Sequence, residues 1–237
     1  MWRRDLNRIP KRDSGYNSLF DMNSTTFVFS DMTTLLTPYI PFAPITWWAA
    51  ACGADHICFD GADPFRKMTF RNRYYIAGAN GIIRLSIPIL HGREQRIAMK
   101  DIRISNTDRW QIQHWRTIIS AYRRAPFFGF YEPELYPLFH RPFTWLIDFN
   151  LAAFTWLQER LPLPVKTHTD PCTNDDTVNT DLRHYPQQAA SDTTDFPVYS
   201  QVFADRTGFI PDLSLLDLFF AEGPGTRVWL KQHRHLL

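Results

Sequence analysis

A predicted hairpin constrains the fold of this chain more than any other stretch. The sequence GANG, residues 78–81, lies between Tyr75–Ile76 and the largely apolar run Ile82–Ile89. The dipeptide Asn80-Gly81 readily adopts the positive φ angles that a tight turn requires. We therefore predict two antiparallel strands joined at this turn, within Lys67–Ile89.

Three cations, Lys67, Arg71 and Arg73, precede the predicted turn at odd-numbered positions. In an extended strand, residues two apart point to the same side, so we expect these side chains to share one face. Guanidinium groups bind phosphate oxygens through paired hydrogen bonds, and lysine supplies a compact charge. The pattern predicts a site for an anionic ligand. The alternative is a solvated strand face with a structural ion pair to Asp60 or Asp63.

The stretch before the hairpin has the pattern of an α/β protein. We predict a strand at Leu35–Thr37, a proline-broken loop at Pro38–Pro44, a helix at Ile45–Gly53 and a strand at His56–Asp60. The predicted fold class is therefore α/β: a single mixed-sheet domain that begins with this strand-loop-helix-strand unit and has helices packed on the sheet.

Two further residues, Tyr39 and Asn72, are predicted to bind the ligand. Tyr39 lies in the loop after the first strand, where α/β proteins commonly bind ligands, and its ring is suited to stack on a base. Asn72 lies between the two arginines of the predicted cationic face. For Tyr39, the alternative is an ordinary place in the aromatic core.

Periodicity and composition organise the rest of the chain. The later predicted elements are a strand at Ile97–Ile104, a helix from Asp108 that stops before Pro126, a helix at Phe143–Leu161 and a helix at Pro211–Glu222. Two of these helices begin with the spacing of a capping box: Asp108 with Gln111, and Ser214 with Asp217. We predict four parts: a polar, partly disordered extension at 1–34, the main α/β domain at 35–165, a polar loop or disordered insertion at 166–197, and a helix-containing segment at 198–237 that completes the domain.

One histidine and one aspartate on predicted helices are candidate catalytic residues. His114 is a candidate general base for an amine or a hydroxyl, because imidazole is largely neutral at cytoplasmic pH. Asp148 lies inside the longest predicted helix, where a short polar side chain is a poor helix former, and its carboxylate would orient His114 or pair with an arginine. The alternatives are a hydrogen-bonded histidine in the core or on the helix surface, and a buried polar pair that fixes helix packing.

Composition and charge exclude several classes of protein. The 237 residues are 44% hydrophobic, which suits a soluble globule, and the formal charge of +2 argues against general nucleic-acid binding. No apolar run approaches the ~20 residues that span a bilayer, and no signal-peptide pattern follows the basic N-terminus. We therefore expect a cytoplasmic protein without a membrane span.

The cysteines indicate neither a metal site nor a disulfide framework. Cys52, Cys58 and Cys172 give an odd count without CxxC spacing, so we expect all three to be reduced and predict no metal ligands. The sequence identifies no cofactor.

Four blocks of sequence carry a family resemblance. They are LLTPYIPFAPITWWAAACGADHICFD (35–60), RNRYYIAGANGIIRLSIPI (71–89), DIRISNTDRWQIQHWRTIISAYRRAPFF (101–128) and YSQVFADRTGFIPDLSLLDLFFAEGPG (199–225). In this order they resemble the WbqC-like proteins of bacteria, above all the shorter form common in Bacteroidetes. Longer members have an ordered segment before the last block, where this chain has the Asp- and Thr-rich stretch 166–197.

The resemblance implies a set of family-typical positions in this sequence. They are Pro38, Tyr39, Asp60, Lys67, Arg71, Asn72, Arg73, Pro88, Asp101, His114, Tyr122, Pro126, Asp148, Asn150, Tyr199, Pro211, Asp212, Ser214 and Asp217.

The resemblance also implies a function in surface-polysaccharide biosynthesis, of the O-antigen kind. The implied activity is transfer of an acyl or aminoacyl group to a nucleotide-linked amino sugar, and the implied partner is an anionic small molecule such as a nucleotide sugar. The alternative is a non-catalytic module that binds a glycan precursor or a partner protein. Convergence of the cations with His114 and Asp148 on one pocket would favour the enzyme, and dispersal would favour the binding module.

Overall fold

A computed structural model describes residues 33–90, 97–169, 178–184 and 195–236. All of them belong to one compact unit, Asp31–Leu237. In chain order the helices and strands are β1 (Thr34–Thr37), α1 (Ile45–Ala51), β2 (His56–Phe59), β3 (Arg73–Gly78), β4 (Gly81–Ser86), α2 (Trp110–Tyr122), α3 (Phe128–His140), α4 (Leu146–Arg160), β5 (Lys166–His168), β6 (Val178–Asp181), α5 (Ala204–Thr207), α6 (Leu215–Glu222) and α7 (Thr226–Gln232).

The α/β class and the strand-loop-helix-strand start are confirmed. Strands β1, β2, β5 and β6 form a parallel sheet in the order β5-β2-β1-β6, and β3 and β4 form a separate antiparallel pair. β1 is buried along its whole length, as is most of β2, which explains why both read as apolar runs rather than as alternating patterns. Because the four strands are parallel, their carboxyl ends meet at one edge of the sheet.

Aromatic side chains fill the core between this sheet and the helices. On α1, Trp47 and Trp48 are about 1% exposed, and the ring of Trp48 stacks on Phe154 of α4 with centroids 5.2 Å apart. Phe59 at the end of β2 meets the same phenylalanine edge-on at 4.9 Å. These contacts hold α1 and α4 against one face of the sheet.

The hairpin is confirmed at the predicted turn. β3 pairs with β4 from Arg73↔Ser86 to Gly78↔Gly81, and Gly81 has a φ of 109°, a conformation that favours glycine. Residues 79–80 form the turn itself.

The predicted strand at Ile97–Ile104 is wrong. The chain forms a turn of 3₁₀ helix at Met99–Asp101, and its strand-like pairing is limited to isolated bridges such as Ile89↔Ile104 and Arg103↔Trp145. Ile102 and Ile104 are nevertheless buried. The alternating apolar residues therefore indicated burial correctly, although the segment has no continuous strand partner.

The helices at 110–122, 146–160 and 215–222 were predicted, whereas α3 was not. α3 contains Pro133 and Pro137, which read as helix breakers in the sequence. The capping box at Asp108 is also wrong: Arg109 is the N-cap residue without a side-chain cap, and Gln111 donates to the Arg141 carbonyl at 2.6 Å. Ser214 does cap α6, because its hydroxyl accepts from the Leu216 N–H.

The polar stretch 166–197 contains two strands of the central sheet. The prediction of a loop or disordered insertion is therefore wrong for the residues of β5 and β6. The rest of that prediction, at residues 170–177 and 185–194, lies outside the described residues. The Leu182 N–H extends the pairing by donating to the Leu36 carbonyl at 2.7 Å. Short strands with polar side chains are not evident in the sequence, because their stability comes from pairing with the neighbouring strand rather than from their own composition.

One more helix was not predicted, and the expected state of one cysteine is corrected. Helix α7, Thr226–Gln232, lies in the last segment, for which a helix was predicted only at Pro211–Glu222. Cys58 is disulfide-bonded, whereas we expected it to be reduced, because cysteine spacing alone does not determine which thiols meet in space. None of the described helices is long and apolar enough to cross a membrane.

Candidate functional site

The carboxyl edge of the parallel sheet gathers the charged residues that follow its strands. Tyr39 follows β1, Asp60 follows β2 and Arg183 follows β6. From β1 the chain continues to one side through β2 and β5, and β6 lies on the other side, so the strand order reverses between β1 and β6. Ligands of open α/β sheets bind in the crevice outside the carboxyl ends of the strands at such a switch point.

Seven side chains at this edge are linked by hydrogen bonds and ion pairs, and we call them the sheet-edge cluster. They are Asp60, Asp63, Arg66, Arg71, Asp181, Arg183 and His184. The cluster joins the end of β2, the segment before β3 and the end of β6.

Arg183 bridges the two sides of the switch point. Its Nε and Nη2 atoms donate to the Asp181 carboxylate at 3.1 and 2.8 Å, and its Nη1 atom donates to Asp60 at 3.2 Å. The hydrogen bonds from Arg183 lower the pKa of Asp181, and those to Asp181 raise the pKa of Arg183. The Arg183 side chain is still 33% exposed, so it is held in place without being enclosed.

Arg71 lies beneath Arg183 in a buried ion pair. Its guanidinium donates to Asp63 and, at 2.9 Å, to the Arg183 carbonyl, and both charged side chains are 4% exposed. Burial lowers the pKa of Arg71. The structural ion pair to Asp63, which was the alternative to a ligand contact, is thus present.

The predicted cationic face does not form. Residues 70–72 are a turn of 3₁₀ helix whose cap is Thr69, and Met68 has a φ of 61°, so the chain is not extended between Lys67 and Arg73. Lys67 is exposed, Arg71 is buried and Arg73 is partly buried. The alternation argument failed because side chains two apart share a face only in a strand.

Arg66 and His184 form the accessible rim of the cluster. Arg66 is 35% exposed, lies 3.5 Å from Asp63 and donates to Nδ1 of the exposed His184. A guanidinium can only donate, so Nδ1 of His184 is the acceptor in this contact. The sequence interpretation missed both residues, together with Arg183. Leu182 in an otherwise polar stretch was the one signal for a strand end there.

Asn150 of α4 fixes the loop after β1 against the cluster. Its Nδ2 atom donates to the carbonyls of Tyr39 and Arg71, at 3.0 and 2.8 Å. The Tyr39 ring is buried and stacks on Phe59 at 5.0 Å, as its core alternative predicted. Asn72 donates to the Ile87 carbonyl, a contact that braces the hairpin.

The two predicted catalytic residues lie apart. His114 is 5% exposed, with Nδ1 2.9 Å from the Tyr74 hydroxyl and a second hydrogen bond to the Ser86 backbone. Burial lowers its pKa to about 4. Asp148 is exposed on the outer side of α4, in a groove that does not include His114. The structure does not unite them with the predicted cations.

A second polar cluster surrounds the buried carboxylate of Asp217. Tyr122 and Tyr199 donate hydroxyl bonds to it at 2.7 and 2.8 Å, and Gln201 donates an amide bond at 3.0 Å. Burial raises the pKa of Asp217. The Gln201 amide also pairs with both backbone groups of Ile210, so the network ties the segment before α5 to α2 and α6. With these donors satisfied internally, the cluster is suited to hold the fold together.

No three His, Cys, Asp or Glu side chains lie close enough to hold a metal ion among the described residues.

Comparison with known proteins gives one match. No curated protein and no solved structure matches the chain. The family model of the WbqC-like protein family matches residues 38–193, a range that contains the whole sheet-edge cluster and ends before the Asp217 network is complete. The match spans more than half of the chain, which therefore belongs to the WbqC-like protein family.

Proposed function

We propose that the sheet-edge cluster binds a nucleotide-linked amino sugar through its phosphates and that the protein transfers an acyl or aminoacyl group to the sugar amine. The observation that carries the proposal is the position of two partly exposed arginines, Arg66 and Arg183, at the switch point of a parallel sheet. Family membership supports the substrate class, since the WbqC-like resemblance implies work on surface-polysaccharide precursors.

Arg66 and Arg183 retain hydrogen-bond donors that can bind an anion. A guanidinium has five N–H donors, and Arg183 places the three different nitrogens on Asp181 and Asp60, which leaves two N–H groups. Arg66 makes one long contact to Asp63, at 3.5 Å, and one hydrogen bond to His184. Two oxygens of a phosphate can accept paired hydrogen bonds from the planar guanidinium group, and such a pair is stronger than the long contact of Arg66 with Asp63. A diphosphate is therefore suited to draw the Arg66 side chain to itself.

Recruitment of Arg66 supplies a base for the transfer. When Arg66 turns to a phosphate, the Nδ1 lone pair of His184 is released. In the transfer, the sugar nitrogen bonds to the acyl carbon, the bond from that carbon to its leaving group breaks, and the nitrogen loses a proton. His184 accepts this proton in our proposal, the role first predicted for His114.

A second function, binding without turnover, is favoured by one observation. His114 and Asp148 do not converge with the cations on a common pocket, and dispersal of these residues is what a binding module predicts. In that case the sheet-edge cluster holds the same anionic ligand and no product forms.

Calorimetric titration with amino-sugar nucleotides tests the proposal. We expect binding to the wild type that weakens by about tenfold or more in Arg183→Gln and in Arg66→Gln, because each loses a charged contact to phosphate. Arg160→Gln is the matched control, since Arg160 is a partly exposed, ion-paired arginine on α4. Equal affinity in all four proteins would contradict the site.

Turnover is then tested separately with the same proteins. Mass spectrometry after incubation with acyl and aminoacyl donors should show N-acylated sugar with the wild type, and much less with His184→Gln at unchanged affinity. Binding without any product would support the second function instead.

A further inference from the structure

A groove lies between α3 and α4, away from the sheet-edge cluster. It has a volume of about 730 Å³. The two helices are joined by residues 141–145 and run antiparallel, and Arg160 at the end of α4 pairs with Glu134 of α3.

One stripe of α4 forms a whole wall of this groove. It consists of Asp148, Leu151, Ala152, Thr155, Trp156 and Glu159. These positions repeat at intervals of three and four residues, so they share one helical face. The middle of the stripe is apolar, and its ends are carboxylates separated by about 16 Å along the axis. Leu151 and Ala152 are only partly buried, which leaves apolar surface open.

An exposed aromatic lies on α3 beside the residues that line the groove. Phe130 lies one helical turn before Glu134 on α3 and is 71% exposed. Contiguous exposed apolar surface with a polar rim is typical of a protein-binding site.

The rim of the groove is predominantly acidic. Three carboxylates line it, and the guanidinium among the lining residues, that of Arg141, lies over the Phe143 ring at 4.6 Å. Asp148 makes no hydrogen bond or ion pair with any described residue, and Glu159 reaches only Arg160, at 3.5 Å. The Asp148 end of the stripe is therefore negative, and the other end keeps a net negative charge because Arg160 faces two carboxylates, Glu134 and Glu159.

We infer that this groove binds an amphipathic helix of a partner protein whose bound face is apolar in the middle and basic at both ends. A partner helix that lies along α4 presents residues eleven positions apart on the same face at the same separation of about 16 Å. Lysine or arginine at those two positions meets Asp148 and Glu159, and the apolar residues between them cover Leu151 and Phe130. Charge complementarity of this kind sets the register and the orientation of the helix.

Synthetic helical peptides provide the test. The probe carries two lysines eleven positions apart with leucines between them on the same face, and the control peptide has glutamates in place of those lysines. NMR titration of the full chain should show shifts confined to residues 128–160 with the basic peptide and none with the acidic one.

Variants make the test specific to the groove. The affinity measured by titration should fall about tenfold in the double variant Asp148→Asn, Glu159→Gln, and also in Phe130→Ser. Asp205→Asn, an exposed acid on α5, should bind like the wild type. Absence of binding by the basic peptide, equal binding of the two peptides, shifts outside this region, or occupation of the groove by a second copy of the chain would overturn the inference.

Discussion

The sheet-edge cluster and the surroundings of His114 contain similar polar side chains in opposite settings. In the cluster, arginines and aspartates meet at the ends of strands and Arg66 and Arg183 keep about a third of their surface in solvent. His114 is enclosed by Tyr74 and Trp110, and its ring bonds to the Tyr74 hydroxyl and to the Ser86 backbone within the protein. This comparison indicates that access and topology, rather than residue type, decide which polar groups are open to a ligand.

The largest expected effect comes from breaking the buried pair beneath the cluster. Asp63→Asn leaves the Arg71 charge buried without a carboxylate, and we expect a loss of about 3–5 kcal/mol in the free energy of unfolding. Denaturant unfolding measures it. The double change Asp63→Leu, Arg71→Met should recover most of the loss, because no charge then remains buried. A single variant as stable as the wild type would show that the pair is not buried in solution.

The next largest expected effect is a loss of stability in acid, and it arises in the surroundings of His114. The folded pKa of His114 is lowered from 6.5 to about 4 by burial. Between these values the unfolded chain binds the extra proton, so stability is present above pH 6.5 and is lost as the pH falls to 4. The loss attributable to this group is about 3 kcal/mol. Unfolding curves across this range should show a smaller fall for His114→Phe than for the wild type, and parallel curves would contradict the enclosed setting.

Removal of the Tyr74 hydroxyl should have a smaller effect. In Tyr74→Phe the Nδ1 atom of His114 loses its partner in a buried place, and we expect a loss of about 1–3 kcal/mol. Thermal unfolding is the measurement. Tyr136→Phe is the control, since Tyr136 is 48% exposed. A loss of equal size in both variants would argue against a specific hydrogen bond to His114.

The smallest expected effect on stability belongs to Arg183. Its ion pairs are partly exposed, so Arg183→Gln should change the free energy of unfolding by about 0–1 kcal/mol. The same change should nevertheless weaken ligand binding strongly. This contrast separates a functional arginine from a structural one such as Arg71. Large destabilisation by Arg183→Gln would show that Arg183, like Arg71, has a structural role.

Much of the fold could be predicted from the sequence, because the elements concerned carry their own signals. The hairpin turn has its Asn-Gly dipeptide, and α4 has a long apolar period. The strand β6 and the helix α3 could not be predicted, because polar residues and internal prolines argue against them locally. Both depend on tertiary contacts that the sequence does not display.

The site was predictable only in part. Placement of Tyr39 and Asp60 at strand ends followed from the pattern of the first two strands. Arg183 and His184 required knowledge that a distant polar segment pairs with β1. Burial of His114 could not be predicted, because residue type and helical position say nothing about which face of α2 is covered.

The sheet-edge cluster, rather than the surroundings of His114, is our proposed binding site for the anionic ligand. The most direct measurement is a heteronuclear NMR titration of the full chain with an amino-sugar nucleotide. We expect the largest shifts at residues 60–66 and 181–184, and their loss in Arg183→Gln. Shifts centred on residues 110–118 and unaffected by that change would contradict it.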